Sequence, residues 1–238
     1  MGKGQRTEGM TFSGFIKSDL VNYSGMIAST VFTCGCNFRC PYCHNPEFVV
    51  MGSDETYFGE VYTEDDILAY LKKRGAFLDA LVISGGEPTL HQELPEFMRK
   101  VKELGLKIKL DTNGSRPEVL KDFIDQNLID YVAMDVKAPV DKYHLLGFKD
   151  TDSIKASIDI LESSNVDHEF RTTCPRILLE EEDFPKMAEL VGKRTKWYFQ
   201  TFNPAKTLDP AYNNVSSYSR EELEAIIKKY NLTNAGVR

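Results

Sequence analysis

Cys36-Asn37-Phe38-Arg39-Cys40-Pro41-Tyr42-Cys43 places three cysteines at an x3 then x2 spacing, just after the apolar β-branched run Ile27-Ala28-Ser29-Thr30-Val31-Phe32. Thiolates so close in sequence can converge on one soft metal centre. Three ligands from one loop suit a four-iron, four-sulfur cluster with one iron left open, because such clusters are held by cysteine thiolates. A zinc site with His44 or His91 as fourth ligand is the competing reading. Structural zinc sites usually draw their ligands as two separated pairs, and no second Cys-x2-Cys is present. Cys34, two residues before the triplet, reads as a small buried residue ending a strand. Cys174 lies alone, far from the loop.

Around this loop the chain alternates. Met26 to Phe32 is a nearly continuous apolar run, suited to a buried parallel strand. Strands are predicted again at Ala80 to Ile83, Lys107 to Leu110, Tyr131 to Met134, His168 to Thr173 and Trp197 to Phe202. Helices fall between them. Thr63 with Asp66 caps a helix bearing Ile67, Leu68 and Leu71. Thr89 and Gln92 open the next, whose apolar face is Leu94, Phe97, Met98 and Val101 and which Gly105 closes. Ser115 with Glu118 predicts a capping box, with Pro117 in the first turn, ahead of Val119, Leu120, Phe123 and Ile124. Ile154, Ile158 and Leu161 mark another helix, and Phe184 to Val191 a short one. Ser219 with Glu222 caps a last helix bearing Leu223, Ile226, Ile227 and Tyr230. Phe12 to Gly25 predicts a short strand or turn leading in.

Six strands with intervening helices argue for a parallel α/β sheet with right-handed crossovers. Six units are too few for the eight-stranded barrel. Periodicity alone does not separate a curved, open (β/α)6 partial barrel from a flat doubly wound sheet. The length of 238 residues fits one domain, from residue 12 to residue 238, after a polar segment over residues 1–11 expected to be mobile. Nothing at the N-terminus has the apolar stretch of a secretory signal, and no run reaches the roughly 18 apolar residues of a membrane span. Five cysteines, three of them clustered, point to a reducing, cytoplasmic setting rather than a disulfide framework. A formal charge of −7 disfavours a broad nucleic-acid surface.

Four groups follow predicted strands in order: the cysteine loop, Gly85-Gly86-Glu87-Pro88, Asp111-Thr112-Asn113-Gly114, and Asp135-Val136-Lys137. In a parallel sheet all four point to one rim, where α/β barrels build their sites. Gly85 and Gly86 remove side chains where backbone must approach a ligand, and Glu87 offers a carboxylate to an ammonium group. Asp111, Thr112 and Asp135 are hard oxygen ligands, and Lys137 is a point charge for a carboxylate.

The cysteine spacing resembles the signature of the radical S-adenosylmethionine (SAM) enzymes. The resemblance implies the open partial (β/α)6 barrel, a [4Fe-4S] cluster on Cys36, Cys40 and Cys43, and reductive cleavage of SAM to a 5′-deoxyadenosyl radical. The Gly-Gly-Glu-Pro run matches the family's motif for the SAM amino group, and Tyr42 its aromatic position beside cluster and adenine. The arrangement also resembles the activase of pyruvate formate-lyase. That likeness implies a monovalent cation on Asp111, Thr112, the carbonyl of Ala133 and Asp135. It also implies that Lys137 meets the SAM carboxylate, for which Arg171, beside the apolar Phe170, is a further candidate. Gln200 falls where that activase has a nucleotide-contacting histidine. Gly14-Phe15-Ile16, Asp19 through Gly25, Cys36 through Pro46, Asp111 through Pro117 and Asp130 through Pro139 most resemble activating proteins of anaerobic ribonucleoside-triphosphate reductase. Ser24 departs from a proline often found in that group. The resemblance therefore implies a protein substrate, a glycyl-radical enzyme, and an electron donor such as flavodoxin or ferredoxin. A radical SAM enzyme of the 7-carboxy-7-deazaguanine synthase type and a non-enzymatic iron–sulfur or zinc protein are the alternatives. An electron carrier would not need the Gly85-Gly86-Glu87 or Asp111-Thr112 sites.

Overall fold

The computed structural model describes residues 9–49 and 60–238. Among them, the main sheet has eight strands. They are β2 (Gly14–Asp19), β3 (Ala28–Thr33), β5 (Ala80–Gly85), β6 (Lys107–Thr112), β7 (Tyr131–Asp135), β8 (Asp167–Cys174), β9 (Trp197–Thr201) and β10 (Ala235–Val237). A separate ribbon pairs β1 (Thr11–Phe12) antiparallel with β4 (Tyr62–Thr63). The helices are α1 (Glu64–Arg74), α2 (Leu94–Glu103), α3 (Pro117–Asp125), α4 (Thr151–Ser163), α5 (Asp183–Val191) and α6 (Arg220–Lys229).

Strand order decides between the two architectures left open by periodicity. From β10 to β3 the neighbours run in strict chain order, all parallel, and only β2 is antiparallel. A doubly wound sheet reverses its order at a switch point. With no reversal, right-handed crossovers place every helix on one face, and the sheet curls round the other. This is the partial barrel, open between β2 and β10.

The two faces differ in chemistry, as the two-residue period of a strand dictates. Val31, Leu81, Ile83, Ile108, Leu110, Val132, Met134, Phe170, Trp197 and Phe199 join the helices in one buried apolar core. The alternate residues line the lumen. Tyr23, Ala28, Ala80 and Val82 close its N-terminal end, with Tyr131 packed on them. Above them stand charged groups: Lys109 and Glu169 are only 3% and 2% exposed.

The capping boxes at Thr63–Asp66 and Ser219–Glu222 form as their sequences predict. Two other expected helix starts differ. Thr89 and Gln92 do not open a helix; Pro88–Leu90 is a short 3-10 turn capped by Glu87, and α2 begins at Leu94. Ser115 does not cap α3. Its hydroxyl accepts from Asn37 Nδ2 at 2.8 Å, and Glu118 pairs with Arg116 instead. Of the N-terminal segment expected to be mobile, residues 1–8 lie outside the described residues. Met10 is buried and Thr11 pairs with Thr63.

Candidate active site

The four expected strand-end groups do meet, around one cavity of about 250 Å³. Its wall includes Cys36, Cys40, Tyr42 and Cys43, Gly85 and Gly86, Asp111 and Thr112, Asp135 and Lys137, and Arg171 and Gln200. Each stands in the C-terminal half of its strand, just beyond it, or in the cysteine loop. Ala133 sits within β7, paired with Asp111 on one side and Glu169 on the other, and Glu87 is fully buried; neither belongs to that wall.

The cysteine loop is held by backbone. Gly35 N–H donates to the Phe48 carbonyl at 2.7 Å, Glu87 N–H to the Gly35 carbonyl at 2.8 Å, and Gly86 N–H to the Thr33 carbonyl at 3.0 Å. The strand-end turn is thus fastened directly onto the loop. Its glycines serve this contact as well as the cavity. A Cβ on Gly85 would overlap the Thr33 backbone, and one on Gly86 would overlap the Gly35 carbonyl oxygen and stand 2.7 Å from the Phe48 oxygen. The close approach that removes their side chains is to the chain itself.

Glu87 has a different role from the one expected of it. It is 0% exposed, and its carboxylate is filled by donors. Oε1 accepts from Thr89 N at 3.1 Å, Thr89 Oγ1 at 2.6 Å and Thr112 Oγ1 at 2.7 Å, and Oε2 accepts from Asn113 N at 2.7 Å. No oxygen is left to face an ammonium group in the cavity. Burial pushes this carboxyl up, and the same donors pull against it. Glu87 therefore ties the end of β5 to the end of β6. Glu87→Gln is expected to destabilise the fold by about 3 kcal/mol, because either amide orientation turns an NH2 group toward a backbone N–H, of Thr89 or of Asn113. Urea unfolding checks this, and an unchanged midpoint would count against the latch.

Asn113, held in this way, reaches the cysteine loop. Its Nδ2 donates to Asn37 Oδ1 at 3.0 Å and points at Cys36 Sγ at 3.8 Å, and Phe38 N–H points at the same sulfur at 3.4 Å. Such donors stabilise a metal-bound thiolate. The sequence reading passed over Asn113 and Asn37. The signal available was Asn113's place inside a strand-end group already singled out.

The residues fit a cluster. Three thiol-bearing side chains share one wall, and burial pushes their pKa values up, Cys40 to about 12, so taking up metal must release protons. In the same wall the Tyr42 hydroxyl is buried with no protein partner among the described residues. A group left so is costly unless a ligand meets it. Among the described residues no three His, Cys, Asp or Glu groups converge on one point as the ligands of a single ion do. A cluster asks for less convergence, since its thiolates bond to separate irons. His91 Nε2 contacts the Cys34 carbonyl oxygen at 2.9 Å, and His44 lies against Phe202 with ring centroids 5.3 Å apart. Cys174 is fully buried, its thiol contacting the Thr172 carbonyl oxygen at 3.3 Å, and no disulfide joins any of the five cysteines.

Besides the cysteines, the wall carries a group of charged side chains. Arg171 Nε donates to Asp135 Oδ1 at 3.0 Å, and Lys137 Nζ to Asp135 Oδ2 at 3.1 Å. Burial alone would raise the Asp135 carboxyl, but Arg171 and Lys137 outweigh it and hold it below the ordinary range. Burial likewise works against the Lys137 ammonium, and Asp135 more than restores it.

Comparison with known proteins agrees with this geometry. Residues 30–191 match the family model described as the Radical SAM superfamily. A protein of Methanocaldococcus jannaschii, provisionally named a glycyl-radical enzyme activating enzyme, is 35% identical over 228 residues, 92% of each chain. A 7-carboxy-7-deazaguanine synthase of Koribacter versatilis is 32% identical over 121 residues, 50% of this chain and 47% of its own. The crystal structure of QueE from Escherichia coli superposes with a TM-score of 0.54 at 15% identity, covering 95% of this chain and 92% of that one, a likeness of fold. No helix among the described residues is long and apolar enough to cross a membrane. The chain belongs to the radical SAM superfamily, whose enzymes use a [4Fe-4S] cluster and S-adenosylmethionine.

Proposed function

We propose that this enzyme installs a glycyl radical on a partner protein, and that the partner is an anaerobic ribonucleoside-triphosphate reductase. The observation that carries the activase reading is the 35% identity with the Methanocaldococcus protein over 92% of both chains, whereas the synthase match spans half of each. The reductase as partner rests on the motif resemblance of Asp19 through Gly25 and Asp130 through Pro139.

A cluster held by Cys36, Cys40 and Cys43 would, when bound, supply the single electron for reductive cleavage of SAM, the chemistry needed to remove a hydrogen atom from a glycine Cα of the partner. The chain's own part is to bind and orient. Cys36, Cys40 and Cys43 hold the cluster. Lys137 and Arg171, cationic and on the same cavity wall, take the SAM carboxylate. The backbone of Gly85 and Gly86 receives the amino group, and Tyr42 and Gln200 border the nucleoside. Reduced flavodoxin or ferredoxin supplies the electron.

The test is anaerobic incubation of the iron- and sulfide-reconstituted protein with SAM, dithionite and the reductase. The expected result is 5′-deoxyadenosine together with a glycyl-radical doublet on the reductase in electron paramagnetic resonance. Deoxyadenosine without a protein radical, accompanied by turnover of a pterin, would replace this reading with the synthase type.

A further inference from the structure

The pyruvate formate-lyase activase resemblance implies an alkali cation on Asp111, Thr112, Ala133 and Asp135. The residues present do not fit one. Asp111 Oδ1 accepts from Lys109 Nζ at 2.8 Å, and Asp111 Oδ2 lies 3.4 Å from Arg171 Nη1. Both oxygens of Asp135 are taken by Arg171 and Lys137. The Thr112 hydroxyl donates to Glu87 and accepts from Gly114 N at 3.1 Å. Each side-chain oxygen that an alkali ion would need already has a partner.

The cation at this place belongs to the chain. Lys109 stands two residues before Asp111 on β6, so the strand period turns both into the lumen. It is 3% exposed, and among the described residues it donates, besides Asp111, only to the Asn22 carbonyl, at 2.6 Å. A buried ammonium is retained where it is paired and hydrogen-bonded, and Lys109 meets both conditions. The charges argue the same way. Three cations, Lys109, Arg171 and Lys137, face two carboxylates, Asp111 and Asp135, leaving one positive charge over. The next carboxylate down the lumen, Glu169, has its own partner in Arg238 at 2.7 Å. The two carboxylates are thus already matched, and an alkali ion would add positive charge beside three cations.

We propose that Lys109 stands in for the monovalent cation: its ammonium neutralises Asp111 from within the chain, and the lumen binds SAM without any alkali ion. The proposal rests on the SAM-binding reading of this cavity. Lys109 is a positioning residue. By occupying Asp111 Oδ1 it leaves Arg171 free to reach Asp135 as well, so that Arg171 and Lys137 stand ready for the ligand.

The test measures SAM affinity by calorimetry on the anaerobically reconstituted protein, in tetramethylammonium buffer with and without potassium or sodium. The wild-type affinity is expected to stay unchanged on adding either ion, with no sodium NMR line broadening above a protein-free control. Lys109→Met is expected to bind SAM about tenfold more weakly in tetramethylammonium, the scale of one charged hydrogen bond, and to recover when potassium or sodium is added. Lys109→Arg keeps the charge and is expected to remain independent of alkali ions. Wild-type affinity that rises with potassium would overturn the proposal. So would a Lys109→Met protein that binds SAM as the wild type does in every buffer, with SAM binding itself left standing. A wild-type protein carrying its cluster but binding no SAM would remove the reading beneath both. Should Lys109→Met fail to fold, the wild-type ion titration and Lys109→Arg still decide the matter.

Discussion

Gly86→Ala is expected to yield a chain that cannot hold iron and unfolds at markedly lower urea. The added methyl group would overlap the Gly35 carbonyl oxygen and stand 2.6 Å from the Gly35 carbonyl carbon and 2.7 Å from the Phe48 oxygen. All three atoms are backbone, so no rotamer change relieves them. Either the strand-end turn or the cysteine loop has to move, and the bonds from Gly86 N to Thr33 and from Glu87 N to Gly35 break together. Overpacking of this kind costs about 3 kcal/mol. The functional loss is larger than that number suggests, because Gly35 immediately precedes Cys36. A shift there carries the first thiol off the shared wall. Gly75→Ala is the control. It has open space within 4 Å and an ordinary φ of −50°, so its midpoint is expected to change by no more than about 0.5 kcal/mol. Iron content and visible absorption after reconstitution check the pair. Full cluster loading of Gly86→Ala would mean that the turn and the loop are not fastened as described.

This dependence was only half legible in the sequence. Gly85-Gly86 stood out as a place of close approach, but what approaches lies some fifty residues earlier in the chain, and no local pattern carries that. Glu87 is the same case. Its partners Thr112 and Asn113 come from the next strand end, so a carboxylate that reads as an ammonium contact is a buried latch. Where a feature closes within three residues the reading held, as at Thr63–Asp66 and Ser219–Glu222. Ser115–Glu118 has the same spacing and fails, because Asn37, far off in sequence, takes the serine hydroxyl. Six strands carried enough apolar residues to be seen, whereas β1, β4 and β10, with two or three residues each, did not. The curl of the sheet follows from strand order, and periodicity is blind to that. Lys109 was more legible than its omission suggests. A lysine and an aspartate at alternate positions of an otherwise apolar strand, Ile108-Lys109-Leu110-Asp111, already mark one face of that strand as charged.

Cys40→Ser is expected to abolish the cluster outright: iron and sulfide at background, no visible absorption and no deoxyadenosine. Serine is smaller, its oxygen is hard, and its hydroxyl does not ionise near neutral pH, so it replaces a soft thiolate poorly. Cys40 is the most enclosed of the three, at 7% exposure, which leaves no room for an outside ligand to make up the set. The two remaining cysteines do not substitute. Cys174 is fully buried against Thr172, and Cys34 is not on the cavity wall. Cys34→Ser and Cys174→Ser are therefore expected to load iron as the wild type does, whatever they cost in stability. The same burial gives the loop a pH signature. With the Cys40 thiol pushed up to about 12, and those of Cys36 and Cys43 also raised, each thiol that takes iron gives up a proton at neutral pH. Binding that releases protons strengthens as pH rises; with three thiol protons released for four irons taken up, the iron concentration needed for half-loading falls about sixfold per pH unit at a fixed sulfide-ion concentration. That dependence is measured by reconstituting at graded iron from pH 6 upward. A Cys40→Ser protein that keeps a full cluster would take Cys40 out of the ligand set, and loading that ignores pH would count against all three thiols. The ligand of the third iron would then have to be sought elsewhere on the wall, beside Cys36 and Cys43.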